Sequence, residues 1–136
     1  SQEVEVALQG GCSRSHGVKS FKIKTNKRTG DNKFQYNKFF ADRDYTKYKA
    51  LTLRNGGNGF GYLFPRWRDG YMQNLAKGMN IDLQAYMPVA YFLNGKFHGM
   101  MGLRERMDET YLNQNYGIEE DEIDFLKVVN GTGYVA

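Results

Sequence analysis

Residues Pro88–Glu105 read PVAYFLNGKFHGMMGLRE, and the fold follows from this stretch. Asn94-Gly95 lies between two apolar runs, the pair that favours a two-residue type I′ hairpin turn because both positions tolerate positive φ. With the turn fixed, the cross-strand pairs are Leu93 with Lys96, Phe92 with Phe97, Tyr91 with His98, Ala90 with Gly99 and Val89 with Met100. One face then carries Phe92, Phe97, Ala90 and Gly99, and the other Tyr91, His98, Val89 and Met100. Neither face is strongly polar, so the expected place of the hairpin is central, covered on both sides. Its second strand runs into Leu103-Arg104-Glu105-Arg106-Met107-Asp108, and charges at the end of a buried strand mark a place to look for a site.

Outward from the hairpin, the 136 residues suffice for one domain with a single core. No segment approaches the ~18 apolar residues of a membrane span, and no signal-peptide pattern is present, so the chain reads as a mature or excised segment. One cysteine, Cys12, excludes an internal disulfide and a cysteine-based zinc site. The net charge of +4 hides an asymmetry: Arg14–Lys49 holds eleven Lys/Arg against three Asp/Glu, whereas Glu105 onward holds eight acids against two bases. A basic half attracts phosphates or acidic surfaces, but its cations are spread over strands and loops with no nucleic-acid motif, so no nucleic-acid partner is expected. A solvated lysine-rich face is the plainer reading.

Val4, Val6 and Leu8 alternate with Glu3, Glu5 and Ala7 as a half-buried strand. The loop that follows, Gly10-Gly11-Cys12-Ser13-Arg14-Ser15-His16-Gly17, is either a plain connection or an anion cradle in which backbone N–H groups, Ser13 and Arg14 face phosphate oxygens. Val18–Thr25 returns as a strand. Phe21 and Ile23 share its buried face, which places Lys19 on that face and sends Ser20, Lys22 and Lys24 outward. An inward lysine needs a partner or a phosphate, unless it snorkels from the strand end.

Asn26–Asp44 is a polar excursion with a turn at Thr29-Gly30-Asp31-Asn32, packing Phe34, Tyr36, Phe39 and Phe40 on the sheet edge. Lys49–Arg54 is a short strand leading to a second glycine-rich loop, Asn55-Gly56-Gly57-Asn58-Gly59. Trp67–Lys77 is the clearest helix, preceded by Pro65 and followed by Gly78, with Trp67, Tyr71, Leu75 and Met79 as a core stripe. Asp69, its only carboxylate, can pair with Lys19 or interact with the helix N-terminus. Asp108 caps a second short helix over Glu109–Tyr116, stopped by Gly117. The acidic run Glu119–Glu122 lacks EF-hand spacing, and His16 and His98 are too few for a metal site, so no metal ligands are expected. The fold class is α+β: an antiparallel sheet of about five strands with one main packed helix and a short second helix.

Several of these stretches together resemble the spore coat protein H (CotH) kinase family. They are Gly10-Gly11-Cys12-Ser13-Arg14 with Lys19-Ser20-Phe21, then Leu53-Arg54-Asn55-Gly56-Gly57 and Arg68-Asp69-Gly70-Tyr71-Met72-Gln73. The longest runs from Gln84-Ala85-Tyr86 through Phe92-Leu93-Asn94-Gly95-Lys96, Gly99, Leu103-Arg104-Glu105 and Asp108 to Tyr116-Gly117 and Ile123-Asp124. The resemblance implies the N-terminal lobe of an atypical protein kinase, secreted or on a cell surface, that uses ATP and a divalent metal to phosphorylate serine or threonine of a protein substrate. It implies one domain over 1–136, with sheet and helix in 1–107 and a helix and acidic tail in 108–136. It makes Gly10–Gly17, with Ser13 and Arg14, the loop over the nucleotide and Lys19 the phosphate lysine. Asp69 or Glu105 becomes the partner of that lysine, and the backbone near Leu103–Arg106 the hinge. His16-Gly17-Val18 departs from the aromatic or proline-containing segment common in relatives. The metal-binding and catalytic aspartates of the family lie beyond Ala136, so this stretch alone is expected to be inactive, with no catalytic residue of its own. A non-catalytic surface or coat interaction module on the same scaffold is the alternative.

Overall fold

Asn94 and Gly95 both take positive φ, 50° and 77°, and join β4 (Tyr86–Leu93) to β5 (Lys96–Glu105) through the expected turn. This is a computed structural model; it describes residues 1–136 except 16, 27, 29, 31, 35, 37, 57–64, 125, 130–132 and 136, and the side chains of 12, 127–129 and 133–135. The expected features at His16, at the Thr29–Asn32 turn and at Gly57–Gly59 fall wholly or partly outside the described residues. The chain divides into two compact units, Ser1–Arg106 and Met107–Ala136.

The first unit is a five-stranded antiparallel sheet in the order β1-β2-β3-β5-β4, where β1 is Val4–Gln9, β2 Ser20–Thr25 and β3 Ala50–Arg54. Helix α1 (Arg68–Leu75) lies between β3 and β4 in the chain. The α+β architecture is therefore the one the sequence predicts. The hairpin register holds at Leu93–Lys96 and Phe92–Phe97, then shifts: Ala90 faces Met100 and Val89 faces Met101. Two residues of β5, His98 and Gly99, thus stand against Tyr91, and Gly99 takes φ 101°. This is a β-bulge with its glycine in a backbone conformation that a side chain resists. The bulge moves Ala90 and Val89 one residue along β5 from their expected partners.

The hairpin is also less covered than expected. Only β5 is internal; β4 is an edge strand, and Phe92 and Phe97 at the tip are 59% and 53% exposed. Pro88 fits this, because an edge strand has an N–H position that need not donate.

One sheet face carries Leu51, Leu53, Met101 and Leu103 with Phe21, Ile23, Met87 and Val89 packed beside them. Phe34, Phe40 and Tyr48 cover it; Phe39 meets Phe34 and Tyr48 edge-on at 5.6 and 5.7 Å, and Phe40 meets Tyr48 edge-on at 5.5 Å. The polar excursion thus supplies the core lid rather than an edge decoration, because aromatic rings bury large areas on few residues. Conversely, Val6 and Leu8 on edge strand β1 are exposed.

Helix α1 is shorter than predicted, and its aromatic and methionine stripe is not core. Tyr71, Met72 and Leu75 are each more than half exposed, as are Trp67 and Met79 just outside it. The buried position is Gly70, where the helix meets the ring of Tyr86. A ring that large against backbone satisfies the contact without aliphatic side chains from the helix.

In the second unit α2 spans Glu109–Tyr116 as predicted. Asp108 accepts a hydrogen bond from Tyr111 N at 3.3 Å, and Gly117 closes the helix in the left-handed region at φ 70°. A single 3-10 turn at Glu120–Glu122 is exposed and precedes a two-stranded sheet, β6 (Lys127–Val129) and β7 (Gly133–Val135). Among the described residues no helix is long and apolar enough to cross a membrane.

Candidate functional site

Sheet residues alternate between faces, so the face opposite the aromatic core carries Lys22, Thr52, Arg54, Gly102, Arg104 and Tyr86. Thr52 pairs with Arg104 across β3 and β5, and Arg54 with Gly102, which sets the two arginines side by side. Both reach Asp69 in the first turn of α1: Arg54 Nη1 lies 3.1 Å from Asp69 Oδ2, and Arg104 Nη1 donates to the same oxygen. Two guanidiniums on one carboxylate leave a surplus positive charge.

Arg104 is only 1% exposed, and its Nε and Nη2 have no hydrogen-bond partner among the described residues. Burial pulls its pKa below the ordinary value, and the charge of Asp69 opposes that pull. The Tyr86 ring lies over the guanidinium at 5.9 Å, so a cation–π contact offsets part of the missing hydrogen bonding. The ring is itself fixed. A Cβ on Gly70 or on Gly102 would come within 2.6 Å of it.

The first glycine-rich loop forms a single 3-10 turn over Cys12–Ser15. Gly10 enters it at φ 115°, where a Cβ would lie 2.2 Å from Ser13 Oγ, so only glycine lets the chain turn there. Lys19 precedes β2 rather than lying within it, and its Nζ donates to Arg14 O at 2.6 Å. Lys19 is therefore brought to the backbone of Arg14, the residue after Ser13. Lys19 closes the loop and is half-buried, as Phe21 and Ile23 are. Ser20, expected to point outward, is buried: its hydroxyl donates to Asn55 Oδ1 at 2.9 Å and accepts from Asn55 N at 3.0 Å, while Asn55 Nδ2 donates to Val18 O at 2.6 Å. This clasp ties the strand after Lys19 to the residue after Arg54.

Asp69 and Glu105 lie on opposite faces. Glu105 is 2% exposed on the core side, where it accepts from Arg43 Nε at 2.9 Å, from Ala85 N at 3.2 Å and from Tyr45 OH. Arg43 also donates to Leu83 O. Burial raises the Glu105 carboxyl above its usual range, and the Arg43 charge opposes the rise. Lys19 thus pairs with neither carboxylate here; arginines hold both. Glu105 anchors the end of β5, whose backbone accepts from Gln84 Nε2 at 3.0 Å.

Sequence reasoning missed Arg54, Arg104, Arg43 and Tyr86. The signal for Arg104 was available: adjacent Arg104 and Glu105 in a strand must face opposite ways, so each needs its own partner. Arg54 and Asp69 come together only through the strand order, which no local pattern encodes.

For a nucleotide, the surplus guanidinium charge fits an anionic group at Arg54, the more exposed of the two arginines, whereas the unpartnered nitrogens of Arg104 are buried and out of its reach. For a divalent metal the fit is absent: no group of three or more His, Cys, Asp or Glu side chains comes together among the described residues.

The CotH kinase protein family model matches residues 6–133, and the chain belongs to that family. No curated protein and no solved structure matches the chain.

Proposed function

We propose that this chain is the nucleotide-binding portion of a CotH-type protein kinase that transfers the γ-phosphoryl group of ATP to serine or threonine of a protein. Arg54–Asp69 is the observation that carries this reading: an ion pair of 3.1 Å between the third strand and the helix that follows it. Protein kinases hold their phosphate-contacting cation by such a pair between a third-strand lysine and a helix glutamate. Here arginine and aspartate occupy the two places. The loop containing Ser13 and Arg14 covers the nucleotide in this reading, and Lys19 exchanges the Arg14 carbonyl for a phosphate oxygen. Asp69 orients the cations, and Glu105 fixes the β5 end that leads to the hinge. The divalent metal in this reading is held by the family's aspartates, to which none of the residues named here is assigned. Family membership supports an extracytoplasmic or cell-surface location.

The test is γ-phosphate transfer by a longer protein containing this chain, beside residues 1–136 alone. Transfer that is lost in Lys19→Ala and Arg54→Ala but kept in Lys22→Ala supports the reading. Equal effects at all three positions refute it. Absence of transfer with several divalent metals in a folded protein favours the second reading, a non-catalytic interaction module. The exposed Trp67, Tyr71, Met72 and Leu75 are the observation that favours that alternative.

A further inference from the structure

A cleft of about 290 Å³ opens in the first unit between α1, Asp42-Arg43 and the segment entering β4. It plays no part in the kinase reading, and its size is at the lower end of ligand pockets, which start at roughly 300 Å³. Three aromatic rings line it: Trp67, Tyr71 and Tyr86. Trp67 and Tyr71 meet edge-on at 5.6 Å and are both half exposed, while Tyr86 is locked between Gly70 and Gly102.

Three amides, Gln73, Asn74 and Gln84, stand among the rings. Gln73 Oε1 accepts from Gln84 N at 2.8 Å and Gln84 Nε2 donates to Glu105 O at 3.0 Å, so both are held in orientation. The opposite ends leave a donor, Gln73 Nε2, and an acceptor, Gln84 Oε1, for a ligand. The charged groups on the wall are already neutralised in pairs, Lys77 with Asp42 at 2.8 Å and Arg43 with Glu105 at 2.9 Å. Among the described lining residues Leu83 is the single aliphatic side chain.

This chemistry selects a ligand. An apolar peptide anchor calls for aliphatic walls, and an anion calls for unbalanced cations; the cleft has neither. Flat rings beside planar amides and balanced ion pairs suit a ring with apolar C–H faces and hydroxyls around its rim. We infer that the Trp67–Tyr71–Tyr86 cleft binds a neutral saccharide unit of a glycan.

Trp67 is the only tryptophan of the chain, so its emission reports the cleft alone. The experiment titrates the protein with cellotetraose, xylotetraose, chitotetraose, maltotetraose and mannotetraose. The expected result is a saturable change in Trp67 emission with at least one of them. Tyr71→Ala and Asn74→Ala should each raise its half-saturating concentration about tenfold, and Lys22→Ala, outside the cleft, should leave it unchanged. Both substituted side chains are exposed, and far-UV circular dichroism establishes that the variants fold. No response to any of the five sugars from folded protein overturns the inference. So does a response confined to heparin fragments or to a leucine-rich peptide. ATP added alone should leave the emission unchanged, which separates this result from the fate of the kinase reading.

Discussion

Gly70 of α1 and the ring of Tyr86 on β4 occupy a contact that admits no side chain between them: a Cβ at Gly70 would lie 2.6–2.7 Å from three carbons of the ring. The helix is docked by an absence on one side and an aromatic ring on the other. Gly70→Ala should therefore destabilise the protein by about 1–3 kcal/mol through overpacking, despite alanine's better helix propensity. Gly11→Ala, where the added atom meets nothing within 4 Å, should change stability by less than ~0.5 kcal/mol. Urea unfolding of the two variants checks the contrast.

The shared carboxylate gives a second expectation. Asp69→Ala leaves Arg104, 1% exposed, without its counter-charge. The loss should be on the order of 2–4 kcal/mol, towards the lower part of the range for breaking a buried pair because Asp69 itself is partly exposed. Arg104→Met in the same background should recover most of it. A double-mutant cycle by chemical denaturation measures the coupling.

Gly99 supplies a third. At φ 101° any side chain strains the bulge, and its Cβ would also lie 3.0 Å from Arg66 Nη1. Gly99→Val should cost roughly 1–3 kcal/mol, visible as a lower urea midpoint. Gly95→Asn, at the turn with φ 77°, should cost much less, because asparagine tolerates the left-handed region.

The buried Glu105 predicts a pH dependence. Its folded pKa lies above its ordinary 4.5, so the folded state binds this proton more tightly than the unfolded state does. The contribution is complete below about 4.5 and is lost as the pH rises through the folded value. The stability of the native protein relative to Glu105→Gln should therefore fall as the pH is raised across that window. Unfolding series from about pH 4 to pH 8 read the difference directly, and a flat difference would contradict the assignment.

The local features of the fold were legible in the sequence because each has a short-range cause. Asn94-Gly95 fixed its turn, Asp108 and Gly117 fixed the ends of α2, and the Phe21/Ile23 phase fixed the buried face of β2. Long-range placement was harder to read. Trp67, Tyr71 and Leu75 share a helical face, but periodicity says only that they lie together, not that another layer covers them. Pro88 carried a hint that β4 is an edge strand, and the apolar residues around it masked that hint. At the site, the closeness of Lys19 to the loop that holds Arg14 was legible because it is local. The meeting of Arg54, Asp69 and Arg104 depends on strand order, and a one-residue bulge was needed to complete it.

That bulge works as a parity switch. Because strand side chains alternate, the extra residue at His98-Gly99 exchanges the two faces for everything downstream in β5. Deleting either residue would leave Ala90 against Met100 and Arg104 against Tyr86, because the extra residue and the bulge vanish together. Flattening the bulge with both residues kept would turn Arg104 into the aromatic core and swing Glu105 towards Asp69, acid against acid. The sign of the charge facing α1 thus depends on a bulge several residues away that absorbs one residue of β5. A relative of this chain with a hairpin one residue shorter and no bulge would keep the same site with its acidic and basic positions as they stand, whereas one of equal length without the bulge would need them exchanged.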